Sequence, residues 1–455
     1  MASSLSNILF ATFRILPFPG GLQTYIKMRK LTADYLFTGR EMAAQGSVLV
    51  VEDDGMVIDL LPAAEAGDGV EIYRGVLTPG FVNCHCHLEL SHMKGQLPEG
   101  TGMVDFLLSV IRGRGAGAPS EKELEFIHAA IAAAENYMLD RGVVAVGDIC
   151  NTSHTIQRKG EGRMFYHNFI ETMGFVEQTA TDRFASSLKI FEDFAAAYTL
   201  PIAANSIVPH APYSVSSRLF DLVANFPGNQ LITIHNQESE AENLFYRSGQ
   251  GDFLRLYQAL GLDVSFFEGT GKRSMEGCLP YFYRNQTVLL VHNVDTREED
   301  LAWWKGWTAG VEGQAGKEGG AGTADLSGVE GTAMADRGRP DVVMCLCPNA
   351  NLYIGGRLPD VDLLLQYDSR IVLGTDSLAS NHQLDILEEM KTLQRHFPHL
   401  STGTLLQWAT INGAEALQLS GVLGSFTPGK QPGVVVVEGL EGGKFTDGAT
   451  AQRIV

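Results

Sequence analysis

Positive charge is scarce in this chain. Its 455 residues include 34 lysines and arginines against 53 aspartates and glutamates, which gives a formal net charge of −19. A surface of that sign repels phosphate backbones and anionic lipids, so we expect neither a nucleic-acid nor a membrane partner. The sequence also lacks an apolar run long enough for a membrane-spanning helix. Hydrophobic residues still make up 45% of the chain, enough to form a large core.

Cysteine is also sparse, and its spacing excludes two common roles. The chain has six cysteines, and four of them form two Cys-x-Cys pairs inside apolar stretches. Neither pair has the Cys-x-x-Cys spacing of a zinc knuckle or a redox site. We therefore expect buried free thiols and a reducing, cytoplasmic location. The six are Cys84, Cys86, Cys150, Cys278, Cys345 and Cys347.

Short strands and turns occupy the two ends of the chain. In residues 31–78 the turn Asp53-Asp54-Gly55 lies between apolar runs, which predicts a hairpin. A further strand pattern lies in residues 425–455, and we expect both ends to form one small β-sandwich domain. We interpret residues 1–30 as a leader, which is either disordered or the product of an upstream start.

Residues 79–424 alternate apolar runs with helical patterns, which predicts an α/β fold of the (β/α)8 barrel type. One helix is predicted over Ser380–Phe397, since its first residues fit a capping box. The glycine-rich residues 310–340 carry no periodicity and are predicted to be an insertion, either a surface loop or a lid. The eight apolar runs are Phe81–His87, Val143–Asp148, Met164–Glu171, Ile202–His210, Leu231–His235, Thr287–His292, Val342–Leu346 and Ile371–Asp376.

Polar side chains follow these runs at their carboxyl ends, where barrels of this type hold their active sites. His85 and His87 share one face of a strand because side chains alternate, so both can bind one ion. Alone, each residue has a simpler interpretation, such as an exposed strand histidine, a hydrogen-bonded core histidine or a helix cap. The combination is more specific: His85 and His87 on the first run, His235 and Glu238 at the fifth, His292 at the sixth and Asp376 at the eighth.

Three imidazoles and one carboxylate suit a borderline metal ion such as Zn²⁺ or Fe²⁺. Such an ion lowers the pKa of a bound water to about 7. Glu238 follows His235 by three residues and is placed for proton transfer without being a ligand. His292 can hydrogen-bond the attacking oxygen.

These motifs resemble those of the amidohydrolase superfamily, in its branch of aromatic-base and nucleoside deaminases and chlorohydrolases. The motifs are Pro79-Gly80-Phe81-Val82-Asn83-Cys84-His85-Cys86-His87, Pro209-His210-Ala211-Pro212-Tyr213-Ser214, His235-x-x-Glu238, His292, Cys347-Pro348-Asn349-Ala350-Asn351 and Gly374-Thr375-Asp376-Ser377. The resemblance implies metal ligands at His85, His87, His235 and Asp376, proton transfer by Glu238 and Asp376, and orientation of the attacking hydroxide by His292.

One departure from the family pattern bears on the metal count. Some relatives bind two metals through a carboxylated lysine on the fourth strand, and Ile202–His210 contains no lysine. We therefore expect one divalent ion, Zn²⁺ first and Fe²⁺ second. The reaction that this favours is hydrolytic deamination of an amino-substituted aromatic heterocycle.

The substrate is less sharply defined by the sequence. The stretch His87-Leu88-Glu89-Leu90-Ser91 is similar to enzymes that deaminate adenine nucleosides such as aminodeoxyfutalosine or S-adenosylhomocysteine. By resemblance His210 contacts the substrate, although a loop histidine bonded to backbone would look the same. Glu89 could hold ribose hydroxyls or form a structural salt bridge, and Asn351 is a weaker candidate contact.

Three other functions fit the same residues. A triazine-type chlorohydrolase or a guanine deaminase would use the same metal site on a different substrate. A metal-binding protein without activity, built on a decayed enzyme, belongs to another class, although every expected catalytic position is filled. We expect a small heterocyclic ligand as the partner, and a homodimer is allowed.

Overall fold

The strands of this protein fall into three sheets. The computed structural model describes residues 13–16, 24–114, 117–197, 203–307 and 337–455. Its strands are β1 Phe13–Leu16, β2 Thr24–Leu36, β3 Val48–Glu52, β4 Val57–Leu61, β5 Val70–Pro79, β6 Phe81–Cys86, β7 Val143–Cys150, β8 Phe165–Thr172, β9 Ala203–Pro209, β10 Leu231–Asn236, β11 Thr287–His292, β12 Asp341–Leu346, β13 Ile371–Leu373, β14 Val434–Glu441 and β15 Lys444–Arg453.

The helices follow most of these strands along the chain. They are α1 Ala63–Ala66, α2 Met103–Gly113, α3 Glu121–Asp140, α4 Ile156–Lys159, α5 Ala180–Ala197, α6 Ser217–Ala224, α7 Glu240–Ser248, α8 Phe253–Ala259, α9 Ser274–Cys278, α10 Glu298–Gly306, α11 Pro348–Gly355, α12 Val361–Gln366, α13 Ile386–His396, α14 Thr402–Gln407 and α15 Gly413–Ala416. Short 3-10 turns cover Leu88–Met93, Glu177–Thr179, Pro212–Ser214 and Leu279–Tyr281, and a π-helical turn covers Trp408–Asn412. Within this described part of the chain, none of the helices is long and apolar enough to cross a membrane.

Strands from both chain ends share one seven-stranded sheet, in the order β15-β14-β5-β2-β3-β4 with β1 beside β2. β3 and β4 pair antiparallel across the predicted hairpin, where Gly55 has a φ of +88°. Glycine suits that turn because it adopts positive φ without a steric penalty. The predicted boundary at residue 31 lies inside β2, and residues 1–12 and 17–23 of the predicted leader lie outside the described residues.

The other eight strands form two parallel sheets, β6-β7-β8-β9 and β10-β11-β12-β13. They coincide with the eight predicted apolar runs to within a few residues. β6, for example, is buried along its whole length, as expected for parallel strands covered on both faces. Of the predicted insertion 310–340, only residues 337–340 lie within the described part of the chain.

Backbone hydrogen bonds join the two parallel sheets at both of their edges. The amide of His235 donates to the carbonyl of His210 at 3.0 Å, between β10 and the end of β9. On the other side, the amides of Thr375 and Asp376 donate to the carbonyl of His85 at 3.0 and 3.1 Å. These bonds bring the carboxyl ends of strands from both sheets together, which is what positions the site.

The helix predicted over Ser380–Phe397 is wrong at its start. α13 begins at Ile386, where the side chain of Asp385 caps it by accepting from the amide of Leu387. Ser380 does not cap a helix, since its hydroxyl donates to Asp376 Oδ2 at 2.6 Å. β13 likewise ends at Leu373 instead of Asp376. Ser380 thus supports Asp376 after the strand end and does not begin the helix.

The cysteines are confirmed as buried free thiols. Cys84 and Cys345 lie in the main hydrophobic cluster, which fills the space between the parallel strands and the helices around them. Burial raises the pKa of the Cys86 thiol well above its usual value, so it remains protonated and unreactive. These thiols therefore contribute to packing and not to chemistry.

Candidate active site

The two histidines of β6 converge with Asp376, which follows β13. His85 Nε2 and His87 Nε2 lie 3.2 Å apart. Asp376 Oδ1 lies 3.3 Å from His87 Nε2 and 3.7 Å from His85 Nε2. Atoms that share one tetrahedral Zn²⁺ ion at about 2.0–2.2 Å lie about 3.3–3.6 Å from each other. The three ligand atoms therefore have the spacing of a shared divalent metal ion.

His235, at the end of β10, completes this group. Its Nδ1 lies 2.8 Å from the carbonyl of His210 and donates to it, so in the neutral imidazole Nε2 carries the lone pair. Burial lowers the pKa of His235 to about 4, which keeps the ring neutral. Ligand nitrogens of His235, His85 and His87 lie within 4.8 Å of one another. A backbone carbonyl that fixes the tautomer of a histidine is a common support for a metal ligand.

Asp376 is held by its own backbone and by Ser380. Its φ of +57° lies in the left-handed region, which non-glycine residues seldom adopt. The Ser380 hydroxyl donates to Oδ2 at 2.6 Å and leaves Oδ1 toward the histidines. The aspartate therefore presents one oxygen to the ion, while the other is fixed by the protein.

Glu238 lies at the turn after β10, beside the candidate ligands. The amides of Gln237 and Glu238 both donate to the carboxylate of Glu242, at 2.8 and 2.9 Å, which fixes the turn. Burial, together with the negative charges of Asp376 and Glu242, raises the pKa of Glu238 well above its usual value. Glu238 therefore keeps its proton to a higher pH than an ordinary glutamate does, which suits it to donate a proton.

His292, at the end of β11, faces Glu238 across a 3.4 Å separation between Nε2 and Oε1. The Asn351 side-chain amide lies 2.8 Å from His292 Nδ1 and donates to it. Nδ1 is therefore the acceptor, and the ring proton sits on Nε2, on the side of Glu238. Burial lowers the pKa of His292 well below its usual value, so the ring is neutral. A neutral Nε2–H is suited to hydrogen-bond an oxygen that gains negative charge.

Backbone strain is concentrated around these residues. Four non-glycine residues at the strand ends have positive φ: Gln237 at +49°, His292 at +76°, Asn293 at +58° and Asp376 at +57°. Hydrogen bonds hold them in place, such as the one from Asn236 Nδ2 to Asn293 Oδ1 at 3.0 Å. Strained residues of this kind cluster at functional sites, where the surrounding structure maintains them.

A cavity of about 180 Å³ opens above the candidate ligands. The residues that line it include the polar side chains of His87, His235 and Asp376 together with a larger number of apolar side chains. The walls come from α2, with Met103, Phe106, Leu107, Val110 and Ile111, and from α8 and the residue that follows it, with Leu256, Tyr257 and Leu260. A mostly apolar cavity with a few polar side chains is typical of a site for a small organic ligand.

The three candidate substrate residues differ in their placement. His210 lines the cavity, and burial lowers its pKa to about 3, so it is neutral there. Asn351 does not line this cavity and instead supports His292. Glu89 does not line the cavity either. Its Oε2 instead accepts hydrogen bonds from the amides of Asn151 and Thr152 and from the Thr152 hydroxyl. Of the two interpretations of Glu89, the geometry favours the structural one.

The sequence reasoning missed Glu171, at the end of β8. This carboxylate lines the cavity, and Oε1 lies 3.7 Å from His235 Nδ1. The rule that found the other residues, a polar side chain at the carboxyl end of an apolar run, applies to the third run as well. It would also have identified Asp148 at the end of the second run, which forms a fully buried ion pair with Lys159 at 2.5 Å.

Comparisons with known proteins find similarity to the amidohydrolase family and to deaminases. A model of the amidohydrolase family matches residues 326–452. The chain is 25% identical over 391 residues to an aminodeoxyfutalosine deaminase of Nitratiruptor sp., across 81% of this chain and 80% of the relative. It is 24% identical over 428 residues to a 5'-deoxyadenosine deaminase of Methanothermobacter thermautotrophicus, across 88% of this chain and 84% of the relative.

The fold is shared with a solved structure. The crystal structure of Helicobacter pylori aminofutalosine deaminase in complex with methylthio-coformycin superposes with a TM-score of 0.71 and 20% identity, over 94% of this chain and 100% of that chain. At 20% identity, the structural similarity is evidence for a shared fold, and the sequence matches are evidence for common ancestry. Together they show that the chain is similar to the amidohydrolase family and to enzymes named as deaminases, and that it shares the fold of one of them.

Proposed function

We propose that this protein is a metal-dependent hydrolytic deaminase of an amino-substituted aromatic heterocycle, with an adenine-nucleoside-type substrate. The observation that carries the proposal is the convergence of four candidate metal ligands, His85, His87, His235 and Asp376, with the side chains of Glu238 and His292 at the strand ends. The relatives named as adenine-nucleoside deaminases favour the same substrate class.

The donor set that would hold the ion is His85, His87, His235 and Asp376. Nitrogen and carboxylate ligands in this number suit one Zn²⁺, and Fe²⁺ fits the same set. When bound, the ion supplies Lewis-acid chemistry that makes water nucleophilic at neutral pH. The remaining steps of the reaction depend on side chains of the protein.

Three side chains move or hold protons in the proposed reaction. The Asp376 carboxylate accepts a proton from the attacking water, whose oxygen bonds to the ring carbon that bears the amine. Glu238 donates its proton to the adjacent ring nitrogen, which its raised pKa allows. His292 Nε2–H hydrogen-bonds the oxygen as its charge develops.

Release of the amine completes the proposed reaction. The proton taken up by Asp376 passes to the amine, the carbon–nitrogen bond breaks, and ammonia leaves. The ring proton placed by Glu238 stays on the product, which is the ring carbonyl compound, and the hydroxyl proton of the new oxygen returns to Glu238. The net reaction consumes one water and forms one ammonia, with no change in redox state.

Closure of the barrel, the arrangement of the chain ends and the location of the protein are also proposals. We infer that the two parallel sheets close into one (β/α)8 barrel, because backbone hydrogen bonds cross both gaps between them. We keep the β-sandwich arrangement of the two chain ends and the domain boundaries as predictions. The six buried free thiols favour a reducing compartment, and we propose the cytoplasm.

The test is ammonia release by the zinc-loaded protein from adenosine, 5'-deoxyadenosine, S-adenosylhomocysteine, aminodeoxyfutalosine, guanine and a chlorinated triazine. We expect ammonia from an adenine nucleoside. Glu238→Gln should lose at least about 100-fold in kcat, the lower end of what a proton-transfer residue contributes, while it keeps one metal ion per chain. Glu240→Gln, an exposed change two residues away, is the matched control. Near-normal turnover by Glu238→Gln would refute the assigned role, and chloride release without ammonia would favour a chlorohydrolase.

A further inference from the structure

Tyr213 lines the active-site cavity and carries a hydroxyl group that the proposed reaction does not use. It belongs to the 3-10 turn Pro212–Ser214, which follows β9, and it is 2% exposed. Within the described part of the chain, its hydroxyl is buried and has no hydrogen-bond partner. Among the described residues that line the cavity, the only other buried side-chain atom without a partner is Nδ1 of His87, a candidate metal ligand. A buried polar group without a partner costs free energy, so this hydroxyl calls for an explanation.

The Tyr213 side chain is held in one position. Its ring lies against that of Phe253, with the centroids 4.3 Å apart, and it meets the ring of His210 edge-on at 5.7 Å. The hydroxyl of Tyr257 donates to the Tyr213 carbonyl, which fixes the backbone of the turn. The hydroxyl of Tyr213 is therefore in place before a ligand binds, and such preorganisation lowers the entropic cost of a hydrogen bond to the ligand.

Tyr257 provides the contrast. It lines the same cavity, but its hydroxyl already donates to the Tyr213 carbonyl. The neighbours of Tyr213 on its own segment are also engaged, since His210 Nδ1 and the Ser214 hydroxyl lie 2.7 Å apart and bond to each other. Tyr213 is thus the tyrosine of this cavity whose hydroxyl is left for a ligand.

The Tyr213 hydroxyl is a donor at neutral pH. Burial raises the pKa of Tyr213 well above its usual value, and the negative charge of Glu238 raises it further, so the phenol keeps its proton. Both side chains line one cavity, and no other charge affects this hydroxyl as much as that of Glu238. Since Glu238 is the proposed proton donor to the heterocycle, we expect the hydroxyl of Tyr213 to act on the same part of the ligand.

We propose that the Tyr213 hydroxyl donates a hydrogen bond to a nitrogen of the heterocycle other than the one that Glu238 protonates, and so selects rings by their pattern of acceptors. This proposal rests on the proposed deaminase function. An unsubstituted nitrogen of an aromatic ring accepts hydrogen bonds and does not donate them, which makes it the complement of a protonated phenol. A ring with carbon at that place would leave the buried hydroxyl without a partner, and the site would reject it for that reason.

The test compares wild type with Tyr213→Phe on adenosine, 3-deazaadenosine and 7-deazaadenosine. Each analogue has carbon in place of one of the two ring nitrogens that Glu238 does not protonate and that carry no sugar. A neutral hydrogen bond corresponds to about 3- to 10-fold in kcat/KM. We expect Tyr213→Phe to lose that factor on adenosine and on the analogue that keeps the acceptor, and to lose nothing on the other analogue. Tyr283→Phe, which removes an exposed hydroxyl bonded to Asn225, should change none of the three values.

Thermal stability distinguishes a ligand contact from a structural role. If the Tyr213 hydroxyl has no partner in the free protein, Tyr213→Phe should keep or raise the melting temperature measured without substrate. A lower melting temperature would show that the hydroxyl is already bonded in the free protein, and would overturn the proposal. So would an equal loss of kcat/KM on all three substrates, or no loss on any of them.

Calorimetric binding of purine riboside and its 3-deaza and 7-deaza analogues separates this proposal from the deaminase function. Purine riboside carries no exocyclic amine, so its binding does not depend on ammonia release. A preference for the ring nitrogen that Tyr213→Phe removes, without ammonia release from any adenine nucleoside, would retain the role of Tyr213 and refute the deaminase. Ammonia release with a preference that Tyr213→Phe leaves unchanged would do the reverse, and the absence of both would refute both.

Discussion

Glu389 on α13 is a buried carboxylate whose protonation couples stability to pH. Its Oε2 accepts from the amide of Asn349, and its Oε1 accepts from Asn381 Nδ2, both at 2.9 Å. Asn381 Nδ2 also lies 2.9 Å from the carbonyl of Thr375, the residue before Asp376. Burial raises the pKa of Glu389 to about 8, above a usual value of 4.5.

The sign of the effect follows from proton uptake. Between pH 4.5 and about 8 the folded protein binds the Glu389 proton and the unfolded chain does not, so stability falls as pH rises through that range. Each pH unit costs about 1.4 kcal/mol, which amounts to about 2–3 kcal/mol between pH 5.5 and 7.5. That is a sizeable part of the about 5–15 kcal/mol that stabilises a typical protein.

Glu389→Gln removes this titration. The variant should be less stable than wild type at low pH. Its side-chain nitrogen cannot accept one of the two hydrogen bonds that Asn349 and Asn381 donate to Glu389. The difference from wild type should then shrink or reverse by about 2–3 kcal/mol as pH rises from 5.5 to 7.5. Urea unfolding midpoints of wild type and variant, taken at five pH values and a fixed metal content, measure this difference in stability. Exposed Glu268→Gln is the control. A difference that stays constant over this range would refute the assigned protonation of Glu389.

Further predictions concern the residues that support the site. Ser380→Ala removes the hydrogen bond to Asp376 Oδ2 and should weaken zinc binding by about 10- to 100-fold in a chelator competition, whereas exposed Ser186→Ala should not change it. Asn351→Ala frees the ring of His292 and should lower kcat by up to about 100-fold with little change in KM, because the imidazole acts on the developing charge. Dialysis against a chelator should abolish ammonia release and lower the melting temperature, and one equivalent of Zn²⁺ should restore both.

The eight strands and the residues at their ends could be predicted because both depend on local patterns. Apolar runs of strand length alternate with helices, and polar residues such as His235 follow where the apolar runs stop. Side-chain alternation alone puts His85 and His87 on one face. The helix start at Ser380 was wrong because Ser380, which fits a capping pattern in the sequence, donates to Asp376 Oδ2 in the structure.

Tertiary features could not be predicted in the same way. The positive φ of His292 and Asp376 depends on hydrogen bonds from neighbouring strands, which no local pattern records. Asn351 was a weaker candidate for substrate contact, and its side chain donates to His292 Nδ1, a contact between distant parts of the chain that no local pattern records. Glu89 and Glu171 look alike in sequence, and only the folded structure distinguishes them, since Glu89 Oε2 accepts from residues 151–152 whereas Glu171 lines the cavity.

The most direct test of the proposed site is anomalous diffraction at the zinc edge from crystals of the zinc-loaded protein. We predict one peak per chain, bonded to His85, His87, His235 and Asp376 at about 2.0–2.2 Å. A peak bonded to other residues, or a zinc-loaded protein in which these four side chains do not share one ion, would contradict the proposed site.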